Sequence, residues 1–327
     1  MQFPPLHEHP PHAALGNQVF RLSYPAGDME FLFPYFSNEE EISSSPRKLV
    51  LAIHGKDRNA KSLFRHLNKR QPNPSLAPLL ICPHFLIESD LIQYQLDTSW
   101  LFWTNQWNGW KYGYKSRISP IFPKSARISS FSLFDQLITH MLQRFPTIQE
   151  VVLLGHSSGG QMIHRYAAAT ALPEQWSAHH FRFICINAGT YLYFSPERPH
   201  PFRKDQWFIP KDCPGYDRYK YGLSDYHNCA YIKKMGAMRI RQQYPKRLVD
   251  ILVGQDDNDP QAPGIDNNNC RERLQGYTRL DRAQRFFQHL ISFFGNQIEN
   301  YQRLIIAPNC SHNFRHFVKH GVLDQYL

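Results

Sequence analysis

Six short, almost uninterrupted apolar runs punctuate the chain, at residues 49–53, 79–82, 151–154, 183–186, 251–253 and 304–307. Strands covered on both faces read this way, because neither face needs polar side chains. Ahead of them, residues 19–24 and 29–36 flank the turn-rich tetrad Pro25-Ala26-Gly27-Asp28 and read as a leading antiparallel pair. Between the runs, Phe131, Phe134, Ile138, Met141, Leu142 and Phe145 recur at helical spacing, as do Leu280, Ala283, Phe286, Phe287, Leu290, Ile291 and Phe294. Both series read as core-facing stripes. Strands alternating with helices predict a doubly wound, mostly parallel α/β sheet, since parallel neighbours need crossover connections. In that architecture chemistry gathers at the carboxyl ends of the strands.

The alternation breaks at 191–228, a stretch rich in Pro, Tyr, Phe and charge without either period, which reads as a lid-like insertion over the strand ends. The Pro- and His-rich start, residues 1–16, reads as a surface arm. The expected organisation is therefore a single α/β domain across all 327 residues.

Gly155-His156-Ser157-Ser158-Gly159-Gly160 directly follows one apolar run and precedes the helix-forming stretch 161–169. The pattern G-x-S-x-G is common by chance, but a strand before it and a helix after it are the context a nucleophile elbow requires. The competing reading is an ordinary Gly/Ser turn into a helix. A serine hydroxyl is a poor nucleophile near neutral pH, so Ser157 needs a histidine base and an acid to orient that base. His312 sits just beyond the last apolar run and is the candidate base. The loop after residue 253 offers Asp256, Asp257 and Asp259, with Asp257 preferred, then Asp259, then Asp256. His54-Gly55 follows the first buried run, so the N–H of Lys56 and that of Ser158 are the candidate oxyanion donors.

His312, His316 and His320 recur every fourth residue, a spacing that could put three imidazoles on one helix face, but no carboxylate or cysteine accompanies them and no metal site is expected. Trp100, Phe102, Trp103, Trp107, Trp110, Tyr112 and Tyr114 crowd one segment. They serve either as the lining of an apolar or aromatic substrate pocket, with Trp107 as the candidate contact, or as a loop packed on its own aromatics. Tyr191, Tyr193 and Phe194 pose the same choice, with Tyr191 as the candidate contact.

Taken together, the His54-Gly55 turn, the elbow at Ser157, the Gly254-Gln255-Asp256-Asp257 loop and the late His312 resemble the α/β-hydrolase superfamily over nearly the whole chain. Asn187-Ala188-Gly189-Thr190-Tyr191-Leu192-Tyr193 and Tyr219-Lys220-Tyr221-Gly222, with the elbow and acid loop, look like a microbial branch near the polyester-depolymerase and feruloyl-esterase-like hydrolases. The resemblance implies Ser157, Asp257 and His312 as nucleophile, acid and base, and hydrolysis of a small-molecule or polymeric carboxylic ester without metal or organic cofactor. The extra Asp residues and Lys56 beyond His54-Gly55 depart from the common pattern. Rival readings are an acyltransferase using the same acyl-enzyme, and a binding module that kept the fold without the chemistry.

Composition narrows this picture. Hydrophobic residues make up 42% and charged residues 20%, enough apolar material for a large core. The formal charge of +10 invites a nucleic-acid reading, but Lys and Arg are scattered and no nucleic-acid module is present, so no nucleic-acid partner is expected; a solvated positive surface is the favoured reading, with attraction of an acidic substrate left open. No apolar stretch is long enough to span a bilayer and no secretory signal pattern opens the sequence, which predicts a cytoplasmic protein. Nothing in the pattern bears on oligomerisation. Among six cysteines, Cys82 and Cys185 lie in strand-like runs, whereas Cys213, Cys229, Cys270 and Cys310 lie in loops. In an oxidising compartment these would allow pairings such as Cys213 with Cys229 and Cys270 with Cys310.

Overall fold

The computed structural model describes residues 13–23, 30–42, 45–70, 77–104, 109–201, 203 and 206–327. The first twelve residues of the expected arm, the turn at 25–28 and Trp107 lie outside these. Among the described residues eight strands form the main sheet: β1 (Gln18–Ser23), β2 (Glu30–Ser37), β3 (Lys48–Ile53), β4 (Leu79–Pro83), β5 (Glu150–His156), β6 (His180–Ile186), β7 (Leu248–Gly254) and β8 (Gln302–Ala307). Their order is β1-β2-β4-β3-β5-β6-β7-β8. Strand β2 runs antiparallel to both neighbours, and every other adjacent pair is parallel.

The apolar runs follow from burial on both faces. Along β5, Val151 and Leu153 join one core cluster while Val152 and Leu154 join the other, and β3 divides in the same way. The first cluster also takes the stripe of helix α2 (Ser130–Arg144), in which Phe131, Phe134, Ile138, Met141 and Leu142 are buried. It takes Ala283, Phe286 and Leu290 of helix α4 (Arg279–Phe294) as well. The second cluster is closed by helix α1 (Ala60–Asn68) and by Phe317 of the short helix α5 (Phe314–Lys319). Side chains start these helices. The Ser129 hydroxyl accepts from the Phe131 N–H at 3.2 Å and Thr278 accepts from the Asp281 N–H at 3.0 Å, caps worth about 1 kcal/mol each. Edge strand β8 departs from the doubly covered pattern, since Ile306 is 39% exposed.

The described part of 191–228 carries a two-stranded ribbon (Arg198–Pro199 with Trp207–Phe208), and the turn beyond it is held by the buried Arg198, whose Nη2 lies 3.0 Å from Asp217. Its first four residues are not loop surface at all: Tyr191, Leu192, Tyr193 and Phe194 are fully buried against α4. Of the pairings the sequence leaves open, neither Cys213 with Cys229 nor Cys270 with Cys310 forms. Cys213 bonds to Cys270, with Cα atoms 5.9 Å apart, while Cys229 and Cys310 are buried free thiols. The pairing follows from the tertiary fold: Arg271 Nε donates to the Pro214 carbonyl at 2.9 Å, which brings the two distant loops together. Cys229 lies instead against the carbonyls of Tyr112 and Gly113. No helix among the described residues is long and apolar enough to cross a membrane.

Candidate active site

Strand β5 ends against the start of helix α3 (Ser158–Ala169), and the single residue between them, Ser157, takes φ 57° and ψ −112°. That conformation is unfavourable for an L residue and persists only where surrounding contacts impose it. One such contact is the Ser157 N–H bonded to the Ile186 carbonyl at 2.8 Å. Gly155 and Gly159 allow the rest, because a Cβ on Gly155 would overlap the Gly159 backbone and one on Gly159 would overlap the Ile53 carbonyl. The turn therefore lifts the Ser157 side chain off the carboxyl edge of the sheet.

Two further strand-end loops meet it there. Beyond β8, His312 places Nε2 3.1 Å from Ser157 Oγ, and its Nδ1 lies 2.8 Å from Asp257 Oδ2. Beyond β7, a turn closed by the Asp257 N–H on the Gly254 carbonyl at 3.1 Å tucks Asp257 inward, leaving it buried while Asp256 and Asp259 are exposed. An ionised carboxylate only accepts, so Nδ1 carries the proton toward Asp257, and in the neutral ring Nε2 is left to accept from the serine hydroxyl. Burial pushes the Asp257 carboxyl up, but the bond from His312 and the charge of Arg279 outweigh it and hold Asp257 below the usual carboxylate range. Arg279 Nη1 sits 3.1 Å from Asp257 Oδ1 and Arg279 Nη2 donates to the Pro263 carbonyl at 2.6 Å.

Asn187, just beyond β6, ties the two loops together. Its amide donates to the Ser311 carbonyl at 2.9 Å and its oxygen accepts from the Gly254 N–H at 2.8 Å. On the other flank, His54 is buried, with Nδ1 2.8 Å from the Gly55 carbonyl and Nε2 accepting from the Phe85 N–H at 3.1 Å. Burial first, then the neighbouring His84, keeps this ring neutral by lowering its pKa to about 3. Fixing the Gly55 carbonyl fixes the whole planar peptide, so the Lys56 N–H points the opposite way. A Cβ on Gly55 would lie 3.6 Å from Ser157 Cβ, which sets this peptide beside the elbow. Neither the Lys56 nor the Ser158 N–H has a hydrogen-bond partner among the described residues.

These groups open into a cavity of about 430 Å³ lined by Ser157, Ser158, His312, Lys56, Gln161 and Lys111, among others. His156, next to the serine, packs its ring 4.9 Å from that of His312, and burial and that neighbour bring its pKa down to about 3. His312, His316 and His320 do not share a helix face, because α5 begins only at Phe314. His316 faces back to Ser311, with Nδ1 3.2 Å from its hydroxyl.

Tyr191, expected to contact substrate, is instead wholly buried, stacked on Phe286 with centroids 4.5 Å apart, and it does not line the cavity. The aromatic segment likewise packs inward: Trp100, Phe102, Trp103, Trp110 and Tyr112 are buried. No described residue of 191–228 lines the cavity. Asn187 stands in the 187–193 motif of the sequence without a role of its own, whereas Arg279 and Lys111 carry no signal there, since their surroundings come from loops far away in the chain.

No protein-family model matches the sequence, and no curated protein sequence matches it. Among solved structures, poly(aspartic acid) hydrolase-1 from Sphingomonas sp. KT-1 is similar with a TM-score of 0.61 and 17% identity, over 94% of this chain and 97% of the other. A poly(3-hydroxybutyrate) depolymerase from Bordetella parapertussis is similar with a TM-score of 0.60 and 15% identity, over 94% of this chain and 89% of the other. The strand order, the single antiparallel strand among parallel neighbours and these end-to-end likenesses agree, and the chain has the α/β-hydrolase fold.

Proposed function

We propose that this chain is a serine hydrolase that cleaves a carboxylic ester through an acyl-enzyme on Ser157. The observation that carries the reading is the continuous line from Ser157 Oγ through the His312 imidazole to the buried Asp257 carboxylate. As Ser157 Oγ bonds to the ester carbonyl carbon, His312 Nε2 takes its proton, and Asp257 stabilises the imidazolium while keeping the ring's orientation. The carbonyl oxygen becomes an oxyanion facing the N–H groups of Lys56 and Ser158, each such donor being worth about 3 to 4 kcal/mol of barrier. Collapse of this intermediate breaks the ester C–O bond, and His312 returns the proton to the departing alkoxide. Water then repeats the sequence on the acyl-enzyme, giving a carboxylate and the free serine.

The two fold neighbours are named for breaking down poly(aspartic acid) and poly(3-hydroxybutyrate), which favours an acyl-group substrate, small or polymeric, for this chain too. The Cys213–Cys270 pair favours an oxidising compartment over the cytoplasm. The test is labelling with a fluorophosphonate probe. Wild type labels at Ser157 and Ser157→Ala does not; equal labelling of the two proteins refutes the assignment.

A further inference from the structure

One wall of the cavity holds positive charge that the proposed acyl chemistry does not use. The turn Gly109–Tyr112 presents the Tyr112 ring, and three cations surround it: Lys220 Nζ at 4.2 Å from the centroid, Lys111 Nζ at 5.0 Å and the Arg165 guanidinium at 5.1 Å. Arg165 is fully buried, and its N–H groups go to neutral oxygens only: the carbonyls of Gln161, Thr190 and Lys220 and the Thr190 hydroxyl. Lys220 donates to the Tyr112 hydroxyl at 2.8 Å. No carboxylate pairs with any of the three among the described residues. Glu272, the acid that acts on both lysines, is already engaged by Arg282 at 3.1 Å and by the Tyr221 hydroxyl at 3.3 Å.

Of these cations, Lys111 lines the cavity together with Ser157, Gln161 and Gly189, and its ammonium has no hydrogen-bond or ion-pair partner among the described residues. Burial, then the Lys220 and Arg165 charges, lowers its pKa to about 7. Near neutral pH the unpaired amine is therefore charged only part of the time, and an anion bound beside it would favour the ammonium form. Among the described residues the rest of the lining does not supply one. Its Lys and Arg residues there are Lys56, Arg58, Lys111, Arg279 and Arg315, against one carboxylate, the exposed Asp57. Two of the five are spent, Arg58 on Asp90 and Arg279 on Asp257.

We propose that the substrate carries an ionised carboxylate in addition to the scissile ester, and that Lys111 binds it. Resting on the serine-hydrolase reading, this narrows the substrate class to half-esters of dicarboxylic acids and to carboxylate-bearing acyl units. Lys220 and Arg165, held behind Lys111, add to the attraction without being spent on a counter-charge of their own.

The experiment compares monoethyl succinate, glutarate and adipate with ethyl 4-methylpentanoate, whose isopropyl end replaces the carboxylate of the succinate half-ester by a neutral group of similar size. Wild type shows a higher kcat/KM for at least one half-ester than for the neutral ester. In Lys111→Met that preference ratio falls tenfold or more, and Lys111→Arg keeps it. A second measurement is independent of turnover: calorimetric binding of the same half-esters to Ser157→Ala, alone and combined with Lys111→Met. Binding that is lost with Lys111→Met supports the proposal; equal binding, or a wild-type preference for the neutral ester across the panel, overturns it. Should the fluorophosphonate probe fail to label Ser157 while half-ester binding still depends on Lys111, the hydrolase reading falls and the anion site stands.

Discussion

At the scale of single residues, the candidate site combines what short patterns announce with what only the fold can decide. Ser157 and His312 stand out as candidates because each sits on a loop shortly beyond an apolar run, and strand ends of a parallel sheet converge on one rim. The choice among three aspartates was a matter of which side chain turns inward, and the turn closed on the Gly254 carbonyl buries Asp257 alone. Tyr191 was misread for a general reason: an aromatic residue just after a strand has the same signature whether it faces a cavity or a neighbouring helix, and here α4 supplies Phe286 to stack on. If Asp257 orients His312, Asp257→Asn reverses the hydrogen-bond polarity at Nδ1 and leaves Nε2 unable to accept the serine proton. The loss in kcat is then on the order of 10⁴-fold. Asp256→Asn and Asp259→Asn, at exposed positions, keep kcat within about threefold, in line with substitutions away from packed features. Steady-state kinetics on any turned-over ester decides it, and a larger defect at either neighbour than at Asp257 transfers the role.

Elements were readable where one period dominated. All six apolar runs are strands of the main sheet, five of them unbroken because both faces are covered and the edge strand β8 apolar although part of it is exposed, and both helical stripes are helices that bury one face. What escaped was everything built from side chain to backbone across distant segments. The stretch at 191–228 has too little regular structure to show a period, and its opening residues belong to the core although they follow a strand end. The cysteine connectivity stayed open for the same reason, since sequence neighbours in loops need not be neighbours in space. The observed Cys213–Cys270 link closes 57 residues and ties this stretch to the segment that leads into α4. On the chain-entropy account such a link stabilises by about 4 kcal/mol. Replacing both cysteines with serine therefore lowers the urea midpoint by a corresponding amount. Alkylation of the unfolded, unreduced wild-type protein leaves two of the six cysteines unmodified. Alkylation at all six positions, or a stretch that maps the bond to Cys229 or Cys310, removes this link.

For the whole molecule, the formal charge of +10 changes meaning once the fold is known. In the sequence the basic residues looked scattered, and a solvated positive surface was the economical reading. Folding brings several of them to one cavity, whose lining holds Lys56, Lys111 and Arg315 with Asp57 as the one carboxylate among the described residues. Net positive charge together with a cation-lined cleft raises the local concentration of anions and speeds their encounter. Salt separates this long-range effect from contact with Lys111, because the screening length shrinks from about 10 Å at 0.1 M to about 3 Å at 1 M. Raising NaCl from about 0.02 M to about 1 M is expected to lower kcat/KM for a half-ester about fivefold or more, mostly through KM. The neutral ethyl 4-methylpentanoate, which feels no such field, should change by less than about twofold over the same range. In Lys111→Met the half-ester's salt response should survive in part, since the remaining cations still shape the field while the close contact is gone. Parallel salt profiles for charged and neutral esters in wild type would mean that the field at the cavity mouth does not select the substrate, and the accumulation of positive charge there would then be a matter of solubility alone.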